Sequence, residues 1–204
     1  MPALSAEDTE RVEAAFDAAN LRTRGPLIGV LAQASSDYAF MPLLWSGLIT
    51  LATPWPLLVF TLLSAERIFL IQLIVCLVSL TALSFGPLRV LLTPGQVRRA
   101  NAHRAALVQY AVRGMDRAFD RNGVLIYLSL AEHYARIVAD EGACRVVSAA
   151  QWQAVVDTLV ADVRTRGPVE ALSGAASRCA DLLAPEFPAD PSKPALQVHR
   201  FHVV

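Results

Sequence analysis

The side chains most able to do chemistry are acidic residues that lie beside predicted strands. A hard cation such as calcium or magnesium binds several oxygen ligands at once, so converging carboxylates are the signal of such a site. The possible contributors are Asp37, Asp120, Glu132, Asp140 and Glu141. The last four are the candidate metal ligands, whereas the alternative for Asp140 and Glu141 is the solvated end of a strand.

Two further groups suggest acid-base or thiol chemistry. Glu132 and His133 are adjacent and could act as an acid-base pair, although neighbouring polar residues at a hairpin turn are usually only exposed. Cys144 precedes Arg145, whose charge could lower the thiol pKa, but an inert cysteine is favoured because no positioned histidine is identified. The sequence contains no G-x-S-x-G motif and no glycine-rich phosphate loop after a predicted strand. No complete catalytic site is therefore predicted.

Composition excludes some classes of protein and favours others. The 204 residues carry 18 basic and 18 acidic side chains, so no overall positive field attracts nucleic acid. The three cysteines, Cys76, Cys144 and Cys179, lack the spacing of metal ligands and fit a reduced compartment. The N-terminus is acidic and lacks the features of a signal peptide, so we expect it to stay cytoplasmic.

Two long apolar runs near the middle of the chain predict a membrane hairpin over residues 42–92. Residues 43–65 form 23 positions without a charge, and residues 68–88 form another 21. At about 1.5 Å of helix per residue, each run covers about 30 Å, the thickness of a hydrocarbon core. Glu66 and Arg67 separate the runs and are predicted to form the tip.

Pro54 and Pro56 interrupt the first run, and proline removes a backbone donor from a helix. We therefore predict a kink in the first span. No ionisable side chain lies between Leu43 and Ala65, which favours an anchor over a transport element. A transport or pore component, which would have to oligomerise, is kept as an alternative.

Arginines flank the outer ends of the predicted hairpin, whereas its tip has only Arg67. Positive residues stay on the cytoplasmic side of a membrane, so both soluble arms are predicted to be cytoplasmic. The arginines after the second run either set this topology or bind anionic lipid head groups. The flanking set is Arg22, Arg24, Arg89, Arg98, Arg99 and Arg104.

The residues outside the hairpin predict one split soluble domain, 5–34 with 94–184. A flexible tail, 185–204, is expected to follow it, apart from a short apolar end at 198–204. Ser5 is expected to cap the first helix, and Ser148 with Gln151 forms a capping box that begins another. Helical periodicity over 94–120 gives a stripe that includes Val97, Leu107 and Met115. The other predicted elements are strands at 27–34, 124–131 and 134–140 and helices at 148–166 and 168–183.

The segment RNGVLIYLSLAEHYARIVADEG, residues 121–142, resembles the corresponding segment of the TPM domain family. Asn122 and Gly123 would form the turn before the first of its strands, and Gly142 the turn after the second. The order of the predicted elements over residues 6–183 is also similar, with the hairpin as an insertion. The resemblance implies an α/β fold, a TPM-like small mixed sheet flanked by helices and interrupted by a two-helix transmembrane hairpin.

The functions attributed to this family are diverse. Phosphatase activity and calcium binding are attributed to some members, and others resemble assembly or repair factors for membrane complexes. This chain has Arg121 where many members carry Asp, which weakens the case for calcium. We expect a bacterial inner-membrane protein without a cofactor, whose cytoplasmic domain binds another membrane protein and catalyses no reaction. The main alternative is a divalent-metal-dependent phosphatase.

Overall fold

A computed structural model describes residues 5–36, 40–85, 92–115, 121–189 and 199–204. The chain divides into two compact units, one formed by Met1–Ser35 with Ala100–Val204 and the other by Ser36–Arg99. The described residues form the following helices in chain order: α1 (Ala6–Asn20), α2 (Phe40–Ala52), α3 (Pro54–Phe60), α4 (Ala65–Leu83), α5 (Gly95–Val112), α6 (Glu141–Val146), α7 (Ala149–Thr165) and α8 (Pro168–Leu183).

The first unit contains a mixed sheet of four strands: β1 (Leu27–Ala32), β2 (Val124–Ser129), β3 (Tyr134–Ala139) and β4 (Phe201–Val203). Their order across the sheet is β3-β2-β1-β4. β1 lies parallel to β2 and β4, and β2 and β3 form an antiparallel hairpin. The predicted α/β fold, a small mixed sheet flanked by helices, is confirmed. Every residue of β1 and β2 is buried, as expected for strands covered on both faces.

The main core lies between the sheet and helices α1, α7 and α8. Phe16 of α1 fills the space above Gly29 of β1, where an added Cβ would lie 2.5 Å from the Phe16 ring. The Phe16 ring also stacks on Phe201, with 6.3 Å between centroids. The capping box of Ser148 and Gln151 is present at the start of α7 and confirms that predicted boundary.

Helix α5 is shorter than predicted, and only part of the predicted stripe faces the core. It ends at Val112, and Gly114 follows with φ 64°, a left-handed conformation that ends helices. Ala106 packs on the second face of the sheet beside Leu125, whereas Leu107, a member of the predicted stripe, is exposed. Tyr110 also packs against this second cluster, and Met115, another member of the predicted stripe, is buried in it just after the helix.

The described parts of the chain end, residues 185–189 and 199–204, contact the first unit, whereas residues 190–198 of the predicted tail lie outside the described residues. Phe187 O accepts the Arg24 backbone N–H at 3.0 Å. Farther along, β4 joins the edge of the sheet, with Gly29 N–H donating to Arg200 O at 2.8 Å and Val204 N–H donating to Leu31 O at 2.9 Å. The apolar Phe201 carries this segment into the core, which explains why it is ordered as a strand.

The second unit contains α2, α3 and α4. Pro54 begins α3 directly after Thr53, so the predicted kink in the first span is confirmed. The tip was predicted wrongly: residues 61–64 are non-helical, whereas Glu66 and Arg67 lie in the first turn of α4. An acidic side chain there is stabilised by the positive end of the helix dipole.

Two helical stretches in this unit, Phe40–Phe60 and Ala65–Leu83, are long and apolar enough to cross a membrane. Helix α2 packs against α4, and Gln72 Nε2 donates to Thr50 O at 3.3 Å. Only 6% of each apolar stretch is buried. The large side chains Phe60 and Leu77 are among those left exposed.

Candidate functional site

A buried carboxylate, Glu132, organises a polar network at the end of β1 and β2. It lies in the turn between β2 and β3 and is only 7% exposed. Its Oε1 accepts the Ser35 backbone N–H at 2.9 Å, and its Oε2 accepts the Ser35 hydroxyl at 3.2 Å. The Ser129 hydroxyl also donates to Oε2. The expectation that Glu132 is an exposed turn residue is therefore wrong.

Tyr127 extends this network into the sheet. Its hydroxyl lies 2.9 Å from Ser35 Oγ, so a neutral Tyr127 can donate to Ser35 while Ser35 donates to Glu132. Burial raises the pKa of Tyr127, the hydrogen bond with Ser35 lowers it, and the charge of Glu132 raises it further. These effects together favour the neutral phenol as a hydrogen-bond donor.

The sheet topology explains why these residues meet. β1 and β2 are parallel, and Ala32 pairs with Ser129, so both strands end at the same edge. Sequence reasoning missed Ser35 and Tyr127, although hydroxyl side chains near the carboxyl ends of parallel strands are a usable signal. His133 is exposed at φ 50°, whereas Glu132 is buried, so the two members of the predicted acid-base pair lie in different environments.

Asp140 and Glu141 lie at the opposite end of the β2–β3 hairpin, where they begin α6. Asp140 caps this helix, because its Oδ1 accepts the Glu141 backbone N–H at 2.7 Å. Arg121 reaches both carboxylates, with Nη2 3.3 Å from Asp140 Oδ1 and Nη1 3.2 Å from Glu141 Oε2. A second guanidinium, from Arg145, lies 2.6 Å from Glu141 Oε1. Asp140 is therefore a buried helix cap and not a solvated strand end, whereas Glu141 is solvent-exposed and paired with arginines.

The structure does not bring the predicted metal ligands together. Val124 pairs with Ala139 at one end of the hairpin and Ser129 with Tyr134 at the other. At about 3.3 Å per residue, this register separates Glu132 from Asp140 by roughly 17–20 Å. Asp37 and Asp120 lie outside the described residues. Within the described ranges, no group of three or more His, Cys, Asp or Glu side chains could hold a metal.

The turn residues before β2 and after β3 are tightly placed. A Cβ at Gly123 would lie 3.0 Å from Met115 O, so space, and not a positive φ, favours glycine there. Asn122 is buried beside it. Gly142 lies in the first turn of α6, and its N–H donates to Arg121 O at 2.8 Å. This bond ties the start of β2 to the end of β3.

The two cysteines of the first unit are poor nucleophiles. Burial and the charge of Asp140 raise the pKa of Cys144, which agrees with an inert cysteine and not with activation by Arg145. The guanidinium of Arg145 pairs with Glu141 instead. Cys179 is fully buried in α8, and burial raises its pKa to about 12.

The predicted lipid-binding or topological arginines lie mainly on α5. Arg98 is partly buried, and Arg99 and Arg104 are exposed. Arg89 lies outside the described residues. Helix α5 contains no Asp or Glu, so these cations have no acidic neighbour on their own helix.

Comparison with known proteins adds information on the fold. No family model matches the chain, and no curated protein sequence does. The structure is similar to the NMR structure of the BA42 protein from the psychrophilic bacterium Bizionia argentinensis, with a TM-score of 0.62 and 15% sequence identity. The similarity covers 100% of this chain and 97% of that one. At this identity, the two proteins share a fold, and the resemblance to the TPM family stays a prediction.

Proposed function

We propose that this is an integral membrane protein whose two spans hold a TPM-like domain at the cytoplasmic face of a bacterial inner membrane. The domain binds another membrane protein and catalyses no reaction. The observation that carries the proposal is the hairpin of α2, α3 and α4, whose large apolar side chains are exposed. Moving one such Leu or Phe side chain out of water is worth about 1.5–3 kcal/mol, so a bilayer suits this surface far better than water.

The hydrogen bonds of Glu132 support a structural role for this residue and not a catalytic one. Ser35 is the last residue of the first unit before the chain enters the second. Its backbone N–H and its hydroxyl both donate to Glu132, which fixes the chain to the β2–β3 turn at this junction. A buried carboxylate with these donors from its own chain suits a structural tie better than proton transfer.

The distribution of arginine supports the proposed orientation. Arg22 and Arg24 precede the hairpin, and Arg99 and Arg104 follow it, whereas Arg67 lies next to the tip. Cations near the ends of spans are retained on the cytoplasmic side, which supports a cytoplasmic location for both arms of the domain. The bacterial source of the similar structure is compatible with a bacterial membrane.

The proposal can be tested on the full chain expressed in bacterial membranes. We expect the protein to resist extraction with alkaline carbonate, and its release would contradict the membrane anchor. Cross-linking in native membranes followed by mass spectrometry should join residues of the first unit to a second membrane protein. Cross-links confined to the chain itself would contradict partner binding. Magnesium- or calcium-dependent release of phosphate, lost in Asp140→Ala, would favour the phosphatase alternative.

A further inference from the structure

Helix α5 packs Tyr110 against the core but leaves three of its aliphatic side chains exposed. Ala102 and Ala106 are fully buried, whereas Leu107, Val108 and Val112 are 44%, 57% and 71% exposed. An amphipathic helix of a soluble domain normally faces the core with its apolar stripe. In α5 these three aliphatic side chains face outward.

The exposed residues form one continuous face. Arg104, Leu107, Val108, Ala111 and Val112 follow the spacing of three and four residues that places side chains on the same side of a helix, and all five are exposed. Each belongs to the first unit, so the face is a property of the domain and not of the hairpin. Contact with another apolar surface or with lipid would remove these side chains from water.

The charge of α5 indicates what kind of cover fits. Its cations include Arg99 and Arg104, both exposed, and its sequence contains neither Asp nor Glu. Basic residues beside an exposed apolar face are typical of helices that lie in the plane of a membrane with anionic head groups. A neutral or basic protein surface would fit this excess of positive charge on the helix less well than anionic head groups.

The position of α5 in the chain points to the same cover. It is the first described helix after α4, the second of the two apolar stretches. If those stretches cross the bilayer, the chain that follows them starts at the membrane surface. An amphipathic helix at that point can enter the interface without a separate targeting step.

We propose that α5 is an interfacial helix that binds the cytoplasmic membrane surface. Leu107, Val108 and Val112 insert among the acyl chains, while Arg99 and Arg104 bind anionic head groups. This inference rests on the proposed membrane anchor, and it adds a lipid-binding surface on the domain.

The test uses the full chain reconstituted into vesicles of phosphatidylcholine, with or without one quarter phosphatidylglycerol. A spin label is attached at Val108→Cys in a Cys76→Ser/Cys144→Ser background, in which the buried Cys179 stays unlabelled. Gln153→Cys, on an exposed position of α7, is the matched control. Power saturation then compares collisions of each label with oxygen, which enters lipid, and with a water-soluble nickel chelate.

We expect the label at position 108 to prefer oxygen severalfold more than the label at position 153. The preference should be larger with phosphatidylglycerol, and Arg99→Gln/Arg104→Gln should abolish that increase. If both labels collide equally with the nickel chelate while the protein resists carbonate extraction, the interfacial helix is wrong and the anchor stands. Extraction by carbonate would instead refute the anchor.

The remaining outcomes also decide the proposal. A label at position 108 that is shielded from both reagents and shows dipolar broadening would mean that a second copy covers the face. Shielding without broadening would mean that another protein surface covers it. Either result would overturn binding to lipid, and an oxygen preference that does not depend on phosphatidylglycerol would overturn the role of the two arginines.

Discussion

Replacing Glu132 with alanine should destabilise the first unit much more than replacing another acidic residue of the same hairpin. Glu132 is buried and accepts hydrogen bonds from the Ser35 backbone, the Ser35 hydroxyl and the Ser129 hydroxyl. The hydroxyls can rotate to other acceptors, but the Ser35 N–H cannot. A buried donor that loses its partner costs about 1–3 kcal/mol, and hydrogen bonds to a charged group are worth about 1.5–3 kcal/mol.

The loss of these hydrogen bonds is partly offset, because the variant no longer buries the charge of Glu132. We therefore expect Glu132→Ala to lower the free energy of unfolding by roughly 2–4 kcal/mol. For a protein of this size, that corresponds to a decrease in melting temperature of about 5–15 °C. Glu132→Gln retains an acceptor for the Ser35 N–H and should lose only about 1 kcal/mol.

The assay is thermal unfolding of the detergent-solubilised chain, followed by far-ultraviolet circular dichroism. Glu141→Ala is the matched control, because the Glu141 side chain is 54% exposed and its partners among the described residues are the exposed Arg121 and Arg145. Exposed ion pairs contribute about 0–1 kcal/mol, so the control should melt within a few degrees of the wild type. Equal shifts for Glu132→Ala and Glu141→Ala would refute the structural role of the network.

Three further predictions concern ionisation and metal binding. The pKa of Tyr127 is raised in the folded protein. Above about pH 10, Tyr127 therefore loses its proton more readily in the unfolded chain than in the folded one. The free energy of unfolding, measured by urea titration, should fall as pH rises above that value, and it should fall less steeply in Tyr127→Phe. The same slope against pH in both proteins would contradict this. Iodoacetamide at pH 8 should modify Cys144 more slowly than free glutathione and Cys179 only after unfolding, as peptide mass spectrometry can check. Calcium or magnesium should leave the melting temperature unchanged, because Arg121 already pairs with Asp140; a shift that Asp140→Ala abolishes would restore the metal site.

Local signals predicted much of the domain. The uncharged runs at 27–34 and 124–131 identified β1 and β2, because strands buried on both faces need no polar positions. The capping box identified the start of α7, because it depends only on residues three apart. Pro54 identified the break in the first span for the same reason, since its effect on the helix is local.

Features that depend on distant contacts could not be predicted. The burial of Glu132 requires β1 and β2 to end side by side, which the turn sequence alone does not reveal. β4 is three residues long and exists because β1 offers an edge to it. The apolar stripe of α5 was visible in the sequence, but periodicity cannot tell a core from another apolar environment.

The central claim, a two-span anchor with both arms cytoplasmic, can be tested by thiol labelling of intact spheroplasts. Leu62→Cys introduces a thiol between the two apolar stretches, and the native Cys144 reports on the domain. A membrane-impermeant maleimide should label position 62 without permeabilisation and Cys144 only after it. Labelling of Cys144 in intact spheroplasts, or of position 62 only after permeabilisation, would contradict the proposed topology.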